Sequence, residues 1–288
     1  MTDFYPILLK LLTRASTSLP EDVQQALSDA RTREAEGTPA RAVLDTLQEN
    51  IRLAEERTLP LCQDTGMIHF FVECAEDFPR QLFKLAVERA VREATRLGLL
   101  RQNCVETLTG HNTGNNLGYV SPVFHWEDTP AGSPSTRTAR VTIMLKGGGS
   151  ENMGIQYSLP DSSLKAYRDL AGVEACILDA VYRAQGRGCA PGILGVCIGG
   201  DRAGGEEEAK HQLLRKIGQR SEEPALAELE TRCLEKANAL GIGPMGLGGK
   251  STLLDVFVAQ RTRHPACYFV TVCYNCWCLR RQSTLLEY

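Results

Sequence analysis

The chain has 288 residues, of which 43% are hydrophobic, so it can bury a large core as one big domain or two modest ones. Its 32 basic and 35 acidic residues nearly balance, which gives no electrostatic footprint for nucleic acid or an anionic membrane. No stretch has the length of a membrane span, and the N-terminal apolar run lacks the features of a secretory signal. We therefore expect a globular cytoplasmic protein whose partners are small polar or anionic metabolites.

The predicted elements begin with a helical lead-in, residues 1–57, where apolar residues recur at helical spacing. A strand at 67–74 and an amphipathic helix at 79–100 follow it. The polar, glycine-rich stretch at 110–118 has the composition of a loop that lines a surface or a site. Residues 127–138 are predicted to form a surface excursion.

The second half of the chain alternates between predicted strands and helices. Strands are expected at 139–149, 192–200, 252–260 and 266–274, helices at 162–186, 204–219 and 223–240, and a glycine loop at 241–251. Strands separated by helices predict a mixed α/β (α+β) fold with a β-sheet core surrounded by helices. We expect residues 1–288 to form a single domain, with 1–57 as its lead-in.

Eleven cysteines are a high number for this length. In a reducing compartment, free thiols are ordinary, and their clusters indicate metal binding or catalysis. Most of these cysteines lie in helix-like or strand-like apolar runs, where cysteine behaves as a small hydrophobic residue. The chain lacks the paired CxxC motifs of a structural zinc site. Three cysteines lie instead in turns rich in glycine, proline or polar residues: Cys62, Cys189 and Cys276.

Two motifs carry unusual chemistry for their length. CQDTG, residues 62–66, places a thiol, an amide, a carboxylate and a hydroxyl before a strand, and such a cluster is costly to bury unless a ligand or metal satisfies it. KGGGSEN, residues 146–152, allows close approach of the backbone to a ligand and offers N–H donors. Taken alone, CQDTG is explained equally well by a capped turn that contains a cysteine by chance, and the alternative for KGGGSEN is a bare glycine turn.

The segment GCAPGILGVCIGG, residues 188–200, contains two cysteines in different settings. Cys189 precedes a proline turn and has the loop position that a metal ligand needs, whereas Cys197 lies between valine and isoleucine and is expected to point into the core. His264 precedes a proline near the C-terminal strand, where a lone histidine is usually structural.

Taken together and in order, the motifs CQDTG, LRQN, NTGNN, KGGGSEN, CxP…IGG, GIGPxGLGGK and a terminal histidine followed twelve residues later by cysteine resemble the class I fumarase and L-tartrate dehydratase family. These proteins are iron–sulfur hydro-lyases. The resemblance extends over residues 10–285 and concerns the family's N-terminal domain or α subunit.

The resemblance implies a [4Fe–4S] cluster held by three thiolates, which fall on Cys62, Cys189 and Cys276. The fourth iron then has no protein thiolate and can act as a Lewis acid toward substrate oxygens. The family has two prolines after its second cysteine, where this chain has Ala190 and Pro191.

The resemblance also implies roles for the surrounding residues. Gln63 and Arg101 would hold a substrate carboxylate, because the guanidinium fork matches a carboxylate. Asp64 and His264 would form an acid/base pair. Backbone N–H groups would come from Gly147, Gly148 and Gly149.

The remaining groups of the family's site belong to its C-terminal half, so the resemblance implies a separate β subunit and an αβ dimer of dimers. The favoured function is fumarate hydratase, and the alternatives are the α subunit of L(+)-tartrate dehydratase or a mesaconate hydratase. A non-catalytic iron–sulfur sensor is a further alternative. Retention of Gln63, Asp64, Arg101 and His264 disfavours it, because a sensor needs only the metal ligands.

Overall fold

The computed structural model describes residues 3–129 and 137–288, so most of the predicted excursion at 127–138 lies outside the described residues. The helices are α1 (Tyr5–Thr17), α2 (Glu21–Arg33), α3 (Pro39–Arg57), α4 (Arg80–Arg96), α5 (Gly148–Glu151), α6 (Leu170–Ala184), α7 (Arg202–Gln212) and α8 (Pro224–Ala239). The strands are β1 (Met67–Cys74), β2 (Val123–Asp128), β3 (Thr138–Lys146), β4 (Ile155–Ser158), β5 (Gly192–Gly199), β6 (Leu253–Arg261), β7 (Phe269–Asn275) and β8 (Arg280–Glu287). The predicted mixed α/β class is confirmed. Within the described residues, no helix has the length and apolar content needed to cross a bilayer.

The chain divides into two compact units. Unit 1 consists of Met1–Pro20, Glu49–Gly148 and Arg280–Tyr288, and unit 2 consists of Glu21–Gln48 and Gly149–Leu279. The predicted lead-in therefore does not belong to one unit, since α1 lies in unit 1, α2 lies in unit 2, and α3 runs from one into the other. The single-domain organisation stays a prediction.

Unit 1 is built on a four-stranded sheet with the order β2-β1-β3-β8, in which only the β1–β2 pair is parallel. Alternate side chains of β1 point to one face of the sheet, as the period of two requires. Ile68, Phe70 and Val72 enter a core that α1 and α4 complete. From α4, Phe83 and Val87 follow helical spacing and are fully buried.

Unit 2 is built on a second four-stranded sheet with the order β4-β7-β5-β6, in which β5 and β6 are parallel. All eight residues of β5 are buried, which explains its continuous apolar sequence. One face packs against α6 and α8. On the other side α7 approaches so closely that a Cβ built on Gly195 would lie 2.0 Å from the carbonyl oxygen of Ala209. Glycine at this position is what admits α7.

The element boundaries differ from the prediction at several points. The helix expected at 204–219 ends at Gln212, and the strand expected at 139–149 ends at Lys146. The helix expected at 162–186 begins only at Leu170, because Asp169 caps it by accepting a hydrogen bond from the Gly172 N–H group. Strands β2, β4 and β8 were not predicted. They are short or carry many polar side chains, and each is defined by its partner strand rather than by a local apolar pattern.

Candidate active site

The CQDTG turn is anchored in unit 1 immediately before Cys62. The Leu61 N–H group donates to the Ser16 carbonyl at 2.9 Å, and the Asn50 side-chain amide donates to the Leu61 carbonyl at 2.8 Å. These two bonds attach the turn to α1 and α3. Cys62 itself is partly exposed.

The other end of this turn packs directly on the end of β3. Gly66 has φ +83°, and a Cβ built on it would lie 2.7 Å from both the carbonyl carbon and the carbonyl oxygen of Lys146. Only glycine tolerates this conformation together with this approach. The Asp64 carboxylate accepts the Gly66 N–H group at 2.9 Å through Oδ1, which fixes its orientation in the turn.

Thr65 joins CQDTG to the LRQN motif. It is 1% exposed, and its hydroxyl oxygen accepts hydrogen bonds from the Arg101 N–H group at 2.9 Å and from Asn103 Nδ2 at 3.0 Å. Asn116, in the NTGNN motif, donates through Nδ2 to the Arg101 carbonyl at 2.7 Å and accepts the Asn103 N–H group at 2.8 Å. Partly buried hydrogen bonds thus hold the three motifs CQDTG, LRQN and NTGNN together.

Gln63, Asp64 and Arg101 line one open pocket of about 740 Å³ in unit 1. Each was singled out from the sequence, and the hydrogen bonds of Thr65 bring them together. An amide, a carboxylate and a guanidinium around one open space form a site suited to a small polar anion.

Gly147 brings the glycine motif beside Asp64. A Cβ built on Gly147 would lie 3.1 Å from Asp64 Oδ2 and 3.7 Å from Arg280 Nη2. Gly148 and Gly149 open the single turn of α5. The glycine run therefore allows a carboxylate and a guanidinium to approach the backbone at the end of β3.

In unit 2, Cys189 and Cys276 lie in neighbouring turns. Cys189 follows the 3₁₀ turn Gln185–Gly188, has a left-handed backbone (φ 54°, ψ 60°), and is exposed. The Trp277 N–H group donates to the Cys189 carbonyl at 3.2 Å, which joins the two turns. Cys276 is partly exposed. Two of the three predicted thiolate ligands are thus neighbours within one unit.

The buried ring of Tyr274 forms the floor of the Cys189 turn. A Cβ built on Gly188 or on Gly192 would lie 2.4 Å from ring atoms of Tyr274, so the backbone passes over the ring where only glycine fits. Burial raises the pKa of the Tyr274 hydroxyl, and negative charge on Cys276 and Cys189 raises it further. The tyrosine is therefore close enough to both cysteines to sense their charge.

The glycine loop at 241–251 supports the same turn from outside. The Met245 N–H group donates to the Ala190 carbonyl at 2.9 Å, and a Cβ built on Gly186 would lie 2.4 Å from the Met245 carbonyl oxygen. The loop is held in turn by the residue that follows α2, since the Glu34 carboxylate accepts the Lys250 N–H group at 2.8 Å. The motif GIGPMGLGGK thus positions Cys189 through backbone contacts.

Cys197 is 0% exposed, which confirms that it points into the core. Burial raises the pKa of its thiol to about 12, and it does the same for Cys176 and Cys233. A thiol must lose its proton to ligate a metal, so these three are poor ligands. The choice of Cys189 over Cys197 as the ligand stays a prediction that the burial of Cys197 supports.

His264 is exposed in the turn before β7, and its Nδ1 accepts the Ala266 N–H group at 3.1 Å. It belongs to unit 2, whereas Asp64 belongs to unit 1. Their predicted pairing therefore stays a prediction, as does the gathering of Cys62 with the two cysteines of unit 2. Among the described residues, no group of three or more His, Cys, Asp or Glu side chains is arranged to hold a metal ion.

Sequence reasoning did not assign roles to Thr65, Asn116, Tyr274 or Arg280. Thr65 and Asn116 stand inside quoted motifs, and small polar residues flanked by glycine or asparagine are the signal for such buried hydrogen-bond roles. Tyr274 and Arg280 carry no comparable local signal, because their importance comes from glycines far away in the chain.

Comparison with known proteins gives a consistent family. The sequence model of the family described as fumarate hydratase (Fumerase) matches residues 7–284. The chain is 44% identical over 290 residues to a putative class I fumarate hydratase of Geobacillus stearothermophilus, an alignment that covers 100% of this chain and 55% of that relative. It is 36% identical to a putative L(+)-tartrate dehydratase subunit alpha of Methanocaldococcus jannaschii, covering 96% of this chain and 94% of the relative. The L(+)-tartrate dehydratase subunit alpha of Escherichia coli (strain K12) is 32% identical, with 94% and 87% covered. The chain thus spans about half of the first relative and most of the other two.

Proposed function

Because this chain belongs to the fumarate hydratase (Fumerase) family, we propose that it is the α-type half of an iron–sulfur hydro-lyase that reversibly adds water to fumarate to give (S)-malate. The observation that carries the proposal is the pocket shared by Gln63, Asp64 and Arg101. Hydration of an unsaturated dicarboxylate requires clamps for carboxylates and a group that moves a proton, and these three side chains supply both kinds.

Each residue has a defined task in this proposal. Arg101 and Gln63 bind one substrate carboxylate through N–H donors, with the guanidinium giving two parallel bonds. The carboxylate of Asp64, oriented by the Gly66 N–H group, exchanges a proton with His264. Backbone N–H groups of Gly147, Gly148 and Gly149 add donors beside Asp64.

The thiols of Cys62, Cys189 and Cys276 would hold a [4Fe–4S] cluster. The donor set fits, because these three thiols are exposed or partly exposed; of the other eight cysteines, six are buried and Cys104 and Cys267 are partly exposed. When bound, the cluster supplies an iron without a protein thiolate, which polarises a hydroxyl as a Lewis acid. The Tyr274 ring and the loop at 241–251 keep the Cys189 turn in place for this role.

The proposal includes a partner that carries the other half of the active site. The relative from Geobacillus stearothermophilus extends well beyond the matched part, and the relatives from Methanocaldococcus jannaschii and Escherichia coli bear the name of alpha subunits. A β subunit would supply the remaining substrate-binding groups, and two αβ pairs would form the assembly. We place this enzyme in the cytoplasm, where cysteines stay reduced.

The second candidate is L(+)-tartrate dehydratase. It is favoured by the nearly full-length match to two alpha subunits of that name, whereas the identity is higher to the relative named fumarate hydratase. A mesaconate hydratase uses the same chemistry. A non-catalytic iron–sulfur sensor has less support, because it has no need of Gln63, Asp64 and Arg101 around one pocket.

The test is anaerobic reconstitution of the chain with iron and sulfide, alone and with its candidate β subunit, followed by turnover assays with fumarate, L-tartrate and mesaconate. Fumarate turnover by the mixture, but not by the chain alone, is the expected result. Preferential turnover of L-tartrate or mesaconate would show that this compound, and not fumarate, is the substrate. A loaded cluster without turnover of any of the three would overturn the proposal.

A further inference from the structure

Arg280 is a buried cation, and two of its three guanidinium nitrogens form no hydrogen bond with the described residues. It begins β8, opposite Leu145 of β3, and its side chain is 1% exposed. These two nitrogens are its Nε and Nη1 atoms, which are buried and have no hydrogen-bond partner within residues 3–129 and 137–288. A guanidinium stays charged in proteins and carries five N–H donors, so an arrangement of this kind is among the most unfavourable that a folded chain can hold.

The position of Arg280 indicates what its charge serves. Its Nη2 lies 3.7 Å from the point where a Cβ of Gly147 would stand, and Asp64 Oδ2 lies 3.1 Å from the same point. The absence of a side chain at Gly147 therefore leaves a guanidinium and a carboxylate facing one small space. Asp64 also lines the open pocket with Gln63 and Arg101.

The two cations differ in what they can do for an anion. Arg101 is exposed, so water competes for its guanidinium and screens its charge. Arg280 is buried, where a charge is screened much less and a bound anion gains more from each charge-assisted bond. A ligand with two carboxylates needs two such positions.

We propose that Arg280 is an anion-binding residue of this site, which receives a carboxylate of the bound dicarboxylate while Arg101 receives the other. The inference rests on the proposed function for the identity of the anion. Because Gly147 has no side chain, Arg280 Nη2 and Asp64 Oδ2 can both lie close to its backbone. Without the anion, the buried guanidinium of Arg280 therefore destabilises the folded chain. Binding of the anion supplies the hydrogen-bond acceptors that it lacks.

The experiment measures the thermal unfolding midpoint of the 288-residue chain with and without fumarate, succinate and sulfate, for the wild type, Arg280→Met and Arg280→Lys. Arg140→Met is the matched control, because Arg140 lies on β3 of the same sheet and its side chain is 58% exposed. Dicarboxylates should raise the wild-type midpoint. In Arg280→Met this rise should fall to less than half, with the apparent affinity weakened tenfold or more, while Arg140→Met keeps the wild-type response.

The anion-free chain gives a second readout that a merely structural arginine would not produce. Arg280→Met should unfold at the wild-type temperature or above it, because a buried unpaired charge has been removed. Arg280→Lys keeps the charge without the fork and should retain part of the dicarboxylate response. If Arg280→Met does not fold, the dicarboxylate response of Arg280→Lys still tests the proposal.

Several results would overturn the inference. A lowered midpoint in Arg280→Met together with an undiminished fumarate response would make Arg280 structural, and so would a wild-type chain that responds to no anion. A reconstituted Arg280→Met enzyme with wild-type KM for fumarate would remove Arg280 from the site and leave the proposed function intact. If sulfate alone raises the wild-type midpoint and Arg280→Met abolishes that rise, the anion site stands and the dicarboxylate function fails.

Discussion

Replacing Gly188 by alanine should displace the Cys189 turn from its floor. The added Cβ would lie 2.4 Å from Tyr274 Cε1, whereas carbon atoms in contact stay about 3.5–4.0 Å apart, so the backbone or the ring must move by roughly 1 Å or more. The ring is 2% exposed and passes equally close to Gly192, which leaves it no room to withdraw. Neither glycine has a positive φ, so the expected loss of stability comes from the steric clash and not from backbone strain.

Overpacking of this kind costs about 1–3 kcal/mol of folding free energy. A shift of roughly 1 Å would also break the hydrogen bond from the Trp277 N–H group to the Cys189 carbonyl, which is already 3.2 Å long. Gly188→Ala should therefore destabilise unit 2 and reduce cluster loading, although no ligand has been changed.

The assay is urea unfolding together with anaerobic cluster loading, followed by visible absorbance. Gly154→Ala is the control, because its Cβ would have no neighbour nearer than 3.4 Å. In a Tyr274→Leu background, Gly188→Ala should lower the free energy of unfolding by about 1–3 kcal/mol less than it does in the wild type, since the clashing ring is gone. The reasoning would be refuted if the losses of unfolding free energy caused by Gly188→Ala and Tyr274→Leu were strictly additive. It would also be refuted if Gly188→Ala and Gly154→Ala lowered stability and cluster loading equally.

The other predictions concern single side chains. Cys189→Ser should abolish the visible absorbance of the reconstituted chain and Cys197→Ser should preserve it, so the reverse pattern would exchange their roles. Burial raises the pKa of the Cys197 thiol from 9.0 to about 12, so Cys197 of the native chain should resist iodoacetamide at pH 8 while the exposed Cys189 reacts. The contribution of this thiol to the free energy of unfolding is full below pH 9 and should be lost as pH rises toward 12. Rapid labelling at Cys197 itself, located by peptide mapping, would contradict this. Thr65→Val leaves the donors of Arg101 and Asn103 without an acceptor and should cost about 1–3 kcal/mol in urea unfolding, with Thr65→Ser as the conservative control. Arg101→Ala should leave cluster absorbance intact and raise KM for the dicarboxylate in the assembled enzyme, and an unchanged KM would remove Arg101 from the pocket.

The parts of the site that the sequence could predict are those with a local signal. The polar density of CQDTG marked Gln63 and Asp64, and both line one pocket with Arg101, while their roles stay predictions. The continuous apolar run of β5 predicted both a buried strand and the inward direction of Cys197. In each case the chemistry is decided within a few neighbouring residues.

The parts that could not be predicted depend on distant partners. Arg280 looks like an ordinary charged start of a strand until Gly147 and Asp64 are placed beside it. Tyr274 looks like a core residue of β7, and only the closeness of Gly188 and Gly192 shows that it shapes a turn. The division of the N-terminal helices between two units has the same origin, because amphipathic spacing tells which face is buried but not what covers it.

The pairing of β3 with β8 has a consequence for how the chain is made. β3 ends at Lys146 and β8 begins at Arg280, so the larger segment of unit 2, Gly149–Leu279, is synthesised between two neighbouring strands of unit 1. At about 5–20 residues per second, the ribosome leaves β3 with one open edge for roughly ten seconds. Such an edge is a template for wrong pairing, and the late closure slows folding. Expression at lower temperature, or with a chaperone that shields nascent strands, should therefore raise the yield of folded chain more than changes to either terminus.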